Sequence, residues 1–180
     1  MKKILLSKKF IKYDFKPENL KVNNDDLKNH ILSHQRNIDE NDCFNKYKDY
    51  INLNYFNQIQ WLRDYFSEIY FVEYNTHLVH LSTSAIIINS KESILLHNHI
   101  DSWQLPNQPD VSAIYVVSQG DAQSNIVFEY DDNRFKDKKH KIPLENNKII
   151  FFNSTLFHHI TKNNNLTDTI LLSIKYQYVF

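Results

Sequence analysis

The sequence predicts an α+β domain in which amphipathic helices come first and short antiparallel strands follow. Three observations carry that reading. Apolar residues recur at helical spacing up to about residue 70. After Tyr74 the pattern changes to strand-length apolar runs cut by turn clusters. The chain has 180 residues, which fits one domain, since roughly 70% of the unfolded surface can be buried at that size without a staple. Helices followed by many short strands suggest an antiparallel sandwich or barrel with the helices against one face.

Taken in order, Met1 to Leu6 opens like a signal peptide, but Lys8 and Lys9 interrupt the apolar stretch, so the segment reads as a first strand. From Asp25 to about Ile38, Leu27, Ile31 and Leu32 mark a short helix that Asn24 or Asp25 can cap. A stronger helix runs from about Leu53 to Tyr70, with Tyr55, Phe56, Ile59, Leu62, Tyr65, Phe66 and Ile69 on one stripe that packs on a sheet. Strands are expected over His77–Ile88, Ser93–His99, Ser112–Ser118, Ser124–Tyr130, Lys148–Phe152, Leu156–Thr161 and Thr169–Tyr178. The basic stretch Lys136 to Lys141 reads as a solvated hairpin loop. No repeat or linker divides the chain, so residues 1–180 form one domain, helical support over about 25–70 and a β core over about 75–180.

Composition excludes several functions. Lys plus Arg and Asp plus Glu both total 21, so no global field recruits nucleic acid or an anionic membrane. No window reaches the roughly 18 to 20 apolar residues of a membrane span. Cys43 is alone, which removes an internal disulfide and any thiolate zinc site and suits a reducing cytoplasm. The single glycine, Gly120, cannot write a dinucleotide fingerprint or a P-loop. It also leaves tight turns to Asn and Asp, as in Asn146-Asn147 and Asn163-Asn164-Asn165.

Chemistry concentrates in two places. His97-Asn98-His99-Ile100-Asp101 ends a strand-like run, and alternation lets His97, His99 and Asp101 face the same way. The segment Phe151 to Ile160 carries His158 and His159, which point to opposite faces, so only one of them can join a shared site. An imidazole and a carboxylate two apart, with a distant second His, make a facial triad that leaves open positions on non-haem Fe(II).

These stretches, with Ser112 to Val117 and Gly120 to Tyr130, resemble the Fe(II)/2-oxoglutarate oxygenase superfamily over about residues 80 to 178. The loop up to Tyr115 looks like that of the prolyl hydroxylases, and His97 to Trp103 is similar to the HxHxxSW pattern of a bacterial and phage branch. The resemblance implies a double-stranded β-helix, jelly-roll or cupin-like, with N-terminal buttressing helices. It implies His99, Asp101 and His158 as metal ligands, because Ile160 completes the pattern after His158; His159 is the reserve, and His97 supports a ligand or simply packs. It implies Fe(II) and 2-oxoglutarate as cofactors, with Tyr115 touching the cosubstrate.

The chain departs from the family on its last strand. An Arg there normally pairs with the far carboxylate of 2-oxoglutarate, but Thr169 or Leu171 stands in its place, and Ser173 and Lys175 share that face. Thr169, Ser173 and Lys175 are therefore the cosubstrate candidates, and Trp103, Tyr115, Phe128, Phe152 and Phe157 candidate pocket walls. The expected activity is hydroxylation of a small-molecule or peptidyl substrate. The alternatives are a 2-oxoglutarate-independent dioxygenase using His97, His99 and His158, and a non-catalytic binding protein on the same scaffold.

Overall fold

The computed structural model describes residues 2–6, 9–15, 22–35, 51–52, 57–100, 108–132 and 135–179. Its strands are β1 (Lys2–Leu6), β2 (Lys9–Phe15), β3 (Ile51–Asn52), β4 (Leu78–Ile88), β5 (Ile94–His97), β6 (Val111–Ser118), β7 (Asn125–Asp132), β8 (Phe135–Pro143), β9 (Lys148–Asn153), β10 (Phe157–Ile160) and β11 (Thr169–Tyr178). Two helices, α1 (Asn24–Gln35) and α2 (Asn57–Tyr74), complete the described residues.

The strands form a larger sheet in the order β1-β2-β9-β6-β11-β4-β3 and a smaller one in the order β5-β10-β7-β8, every pairing antiparallel. Alternation along each central strand divides its side chains between two cores. On β6, Val111, Ala113, Tyr115 and Val117 join a cluster with Leu27 and Ile31 of α1 and Ile59, Leu62, Phe66 and Tyr70 of α2. Ile114 and Val116 of the same strand instead join Ile126 and Phe128 of β7 and Ile160 of β10, between the two sheets.

Both helices present the residues their spacing predicts. Ile59, Leu62 and Phe66 are fully buried, and the Phe66 ring meets Phe151 of β9 edge-on at 5.4 Å. Tyr176 of β11 donates to the Arg63 carbonyl at 3.1 Å, and the hydroxyls of Tyr70 and Tyr178 lie 3.0 Å apart, tying α2 to the last strand. The helix ends at Tyr74, four residues beyond the expected end, where Asn75 closes it at φ 50, and residues 53–56 of the expected stripe lie outside the described ones. The cap of α1 is Asn23, one position before the expected candidates. Its Oδ1 accepts the amides of Asp25 and Asp26, at 3.0 and 3.4 Å.

Two further expectations need correction. Lys136 to Lys141 is not a loop: it lies within β8, paired with β7 from Asn125↔Pro143 to Asp132↔Phe135. A charge-rich sequence fits this edge strand, where Lys also discourages pairing with another chain. Of the two Asn clusters, Asn147 takes the left-handed turn at φ 68. Asn163 and Asn165 are instead buried, Asn163 donating to the carbonyls of Ile88 and Thr167 at 2.9 Å each.

That knot explains the single glycine. A Cβ on Gly120 would lie 2.5 Å from Asn165 Oδ1 and 3.0 Å from its Cβ. Asn165 cannot yield cheaply, because its side chain bonds Ala122 N at 2.6 Å, Ala122 O at 2.9 Å and Asn163 Oδ1 at 2.8 Å. Gly120→Ala is expected to destabilise the chain by about 1–3 kcal/mol, measured as a lower urea midpoint at constant slope.

Candidate metal centre

The site lies where β5 ends and β10 begins. His158 pairs directly with His97 across the β5–β10 ladder and with Phe128 across the β10–β7 ladder. The chain then turns at Asn98, whose Oδ1 accepts the amide of Ile100 at 3.1 Å. The His99 amide bonds the carbonyl of Ser154 at 3.0 Å, which draws the third ring against the first two. Ring centroids are 4.4 Å apart for His97 and His158, 4.9 Å for His99 and His158, and 5.5 Å for His97 and His99. One ligand nitrogen from each lies within 4.8 Å of the others, a group that can hold a metal ion.

Hydrogen bonding prepares the lone pairs. Nδ1 of His97 meets the carbonyl of Leu95 at 2.9 Å, and Nδ1 of His158 meets that of Leu156 at 3.0 Å. A carbonyl only accepts, so each Nδ1 carries the proton and each Nε2 keeps a free lone pair. Nε2 of His97 is buried and has no hydrogen-bond partner. A buried acceptor left without a donor is costly in a metal-free protein, and a divalent transition metal satisfies it.

The rings are held neutral, as ligation requires. Burial pushes His158 down to about 3, helped by the charge of a protonated His97 neighbour and partly offset by the Leu156 hydrogen bond. His99 is lowered well below the usual value by burial and then by His158, Lys175 and His97, and His97 is lowered chiefly by burial. Aromatic rings close the inner side: Phe152 lies 4.8 Å from His158 and 5.5 Å from His99, with Phe128 at 5.7 Å from His158.

The remaining site candidates divide. Asp101 and Trp103 lie outside the described residues. His159 faces away from the cluster, toward Glu129 at 3.4 Å. Phe157 is 49% exposed and walls nothing. Tyr115 needs correction, both as a cosubstrate contact and as a wall. Strand alternation sends it to the helix side of the larger sheet, where its hydroxyl, with one hydrogen to donate, lies 2.7 Å from Asn24 Oδ1 and 2.9 Å from Asn147 Oδ1.

On β11, Lys175 sits opposite Ser112, close enough that its charge lowers all three histidines. Ser173 follows inward, its hydroxyl buried with no hydrogen-bond partner. Leu171 belongs to the apolar core between the sheets. Thr169 is six residues from Lys175, roughly 20 Å along the strand, and its hydroxyl donates to Gln119 Oε1 at 3.0 Å. Thr169 is therefore not brought to the cluster, because the spacing along one strand is too long.

Sequence reasoning missed Ser112 and Ser154. Both are fully buried, with Ser112 Oγ 2.6 Å from His99 Nδ1 and 2.7 Å from Ser154 Oγ. Hydroxyls are too common in sequences to signal such a role, although Ser154 stands in the Phe-x-Ser pattern.

Away from the centre, His80 offers a test of acid stability. Arg63 can only donate to its Nδ1, at 3.3 Å, and Nε2 meets Thr83 Oγ1 at 2.8 Å, an arrangement that suits the neutral ring. Burial and then the Arg63 charge lower it to about 4. As pH falls below the ordinary histidine value of about 6.5, the unfolded chain takes up the proton first. This contribution to stability is whole above that value and is lost progressively down to pH about 4. His80→Gln is expected to flatten the pH dependence of the urea midpoint in that window.

Comparison with known proteins agrees with the fold. The chain matches no protein-family model and no curated protein. Among solved structures it is similar to a Pseudomonas putida prolyl-4-hydroxylase, TM-score 0.65 at 8% identity over 94% of this chain and 93% of the other. It is also similar to SnoN, a non-haem alpha-ketoglutarate-dependent epimerase from nogalamycin biosynthesis, TM-score 0.63 at 8% identity over 92% and 77%. A third is HygX from Streptomyces hygroscopicus, solved with iron bound, TM-score 0.60 at 11% identity over 96% and 83%. The chain has the double-stranded β-helix fold of the non-haem Fe(II)/2-oxoglutarate oxygenases, and it places a group of three histidines able to hold a metal where β5 ends and β10 begins.

Proposed function

We propose that this chain is a non-haem Fe(II) oxygenase that uses a 2-oxo acid, 2-oxoglutarate in the first instance, to hydroxylate a small-molecule or peptidyl substrate. The observation that carries the reading is the convergence of neutral imidazole nitrogens of His97, His99 and His158 within 4.8 Å of one another. His99 and His158 are the proposed imidazole ligands, with Asp101, two residues after His99, as the carboxylate. Iron held there with open positions would supply O2 reduction coupled to decarboxylation of the 2-oxo acid.

The chain's own residues orient and protect. The Nδ1 hydrogen bonds to Leu95 and Leu156 fix how the rings of His97 and His158 present Nε2. Phe128 and Phe152 keep water from the inner side. Lys175 is the proposed anchor for the carboxylate of the cosubstrate, with the buried Ser173 hydroxyl beside it on the same strand face. The balanced charge argues against a nucleic-acid substrate, and no described helix is long and apolar enough to cross a membrane.

The test is decarboxylation of 2-oxoglutarate labelled at C1, with Fe(II) and O2 but no substrate. Slow release of labelled CO2 is expected from the wild type and none from His158→Ala. Lys175→Ala is expected to raise the concentration of 2-oxoglutarate needed for half-maximal release about tenfold, the cost of a lost charged hydrogen bond of roughly 1.5 kcal/mol. Metal-dependent release that is equal in wild type and Lys175→Ala would remove Lys175 from the site. No release at all would contradict the oxygenase reading.

The unpartnered Nε2 of His97 favours one second reading, a three-histidine dioxygenase that needs no 2-oxo acid. Substituting Co(II) separates the two. Paramagnetically shifted, exchangeable ring N–H signals from two histidines fit the carboxylate triad, whereas three such signals fit ligation by His97.

A further inference from the structure

We propose that Ser112 and Ser154 form a hydroxyl switch that sets the tautomer of His99 and thereby tunes metal affinity. The inference rests on the metal-site reading above. His97 and His158 are locked by backbone carbonyls, which only accept, so their protons stay on Nδ1. His99 differs, because its Nδ1 faces the Ser112 hydroxyl, which can accept or donate.

Two arrangements satisfy the same short contacts of 2.6 and 2.7 Å. In the first, His99 Nδ1–H donates to Ser112, and Ser112 donates to Ser154, which leaves Nε2 free for a metal. In the second, Ser154 donates to Ser112, and Ser112 donates to Nδ1, so the ring proton sits on Nε2 and blocks it. The ring carries one proton in either case. The exchange removes a proton at Nε2, adds one at Nδ1 and turns both hydroxyls, so no charge is created.

All three groups are at most 9% exposed, so water is poorly placed to replace a missing partner. The Ser154 hydroxyl bonds Ser112 rather than a histidine ring, yet it is the acceptor that lets Ser112 receive the His99 proton. Without it, the Ser112 proton has His99 Nδ1 as its acceptor, and the blocked tautomer dominates. Ser154 is therefore a positioning residue that acts through Ser112.

The experiment is a double-mutant cycle on Co(II) binding, read from the visible d–d absorption of the full chain. Ser154→Ala and Ser112→Ala are each expected to weaken Co(II) binding about tenfold, the low end for groups that support a ligand. The double variant is expected to match Ser112→Ala alone, since Ser154 has no route to His99 without Ser112. Ser154→Cys, close in volume and a weak acceptor, is expected to reproduce the loss with the packing kept. Nitrogen chemical shifts of His99 in metal-free protein are expected to move toward the Nε2–H tautomer in Ser154→Ala and Ser154→Cys. Wild-type affinity in Ser154→Cys, or independent additive losses in the cycle, would overturn the proposal. A wild type that binds no Co(II) would instead remove the metal-site reading itself.

Discussion

His158→Ala is expected to weaken Fe(II) or Co(II) binding by about a hundredfold or more, at least the upper end of what losing a supporting group costs. His158 sits at the middle of the cluster, with ring centroids 4.4 Å from His97 and 4.9 Å from His99, and is 1% exposed. Its loss removes one of the three imidazole nitrogens of the cluster. His159→Ala is the matched control. That ring turns toward Glu129, and its removal is expected to leave metal affinity unchanged. Isothermal titration of both variants checks the pair, and equal losses would mean that strand alternation does not decide which histidine binds.

Phe152→Ala is expected to cost about 3–5 kcal/mol of stability in the metal-free protein, the usual range for emptying a buried aromatic site. Phe152 is fully buried in the core between the sheets and lies 5.0 Å from Phe128, beside the rings of His99 and His158. Its strand is also central, with β2 on one side and β6 on the other. A cavity there both removes core packing and lets water reach the histidines. Phe157→Ala, at a ring 49% exposed, is expected to fall within about 0.5 kcal/mol of the parent. Urea unfolding of the two variants provides the measurement.

The β-rich half was legible because its strands are apolar on alternate positions and its turns are polar. Thr169–Tyr178 is recovered with both ends as expected. β8 was not legible: its charges at Lys136, Asp137, Lys138 and Lys139 imitate a solvated loop, and only pairing with β7 makes the segment a strand. The same limit applies to β2, where Lys9, Lys12 and Asp14 dilute the apolar signal of a strand that pairs on both sides. For β2, propensity along the chain cannot report β9, a partner that lies over a hundred residues away.

At the site, alternation predicted that His97 and His99 face one way and that only one of His158 and His159 joins them, and the cluster has that composition. Alternation also decides against Tyr115, once the sheet face that meets the helices is known. A single sequence does not say which face that is, because both faces of β6 are apolar. Ser112 and Ser154 could not be read in advance, since their role depends on a contact 2.7 Å long between residues that are 42 positions apart.

The most direct measurement is an anaerobic titration with Fe(II) and then 2-oxoglutarate, followed through the visible metal-to-ligand charge-transfer band of a chelated 2-oxo acid. The expected result is a band in the wild type that is absent in His158→Ala and requires more 2-oxoglutarate in Lys175→Ala. Iron binding with no band would contradict the 2-oxo acid assignment and favour the three-histidine dioxygenase, while failure to bind iron would contradict the metal centre.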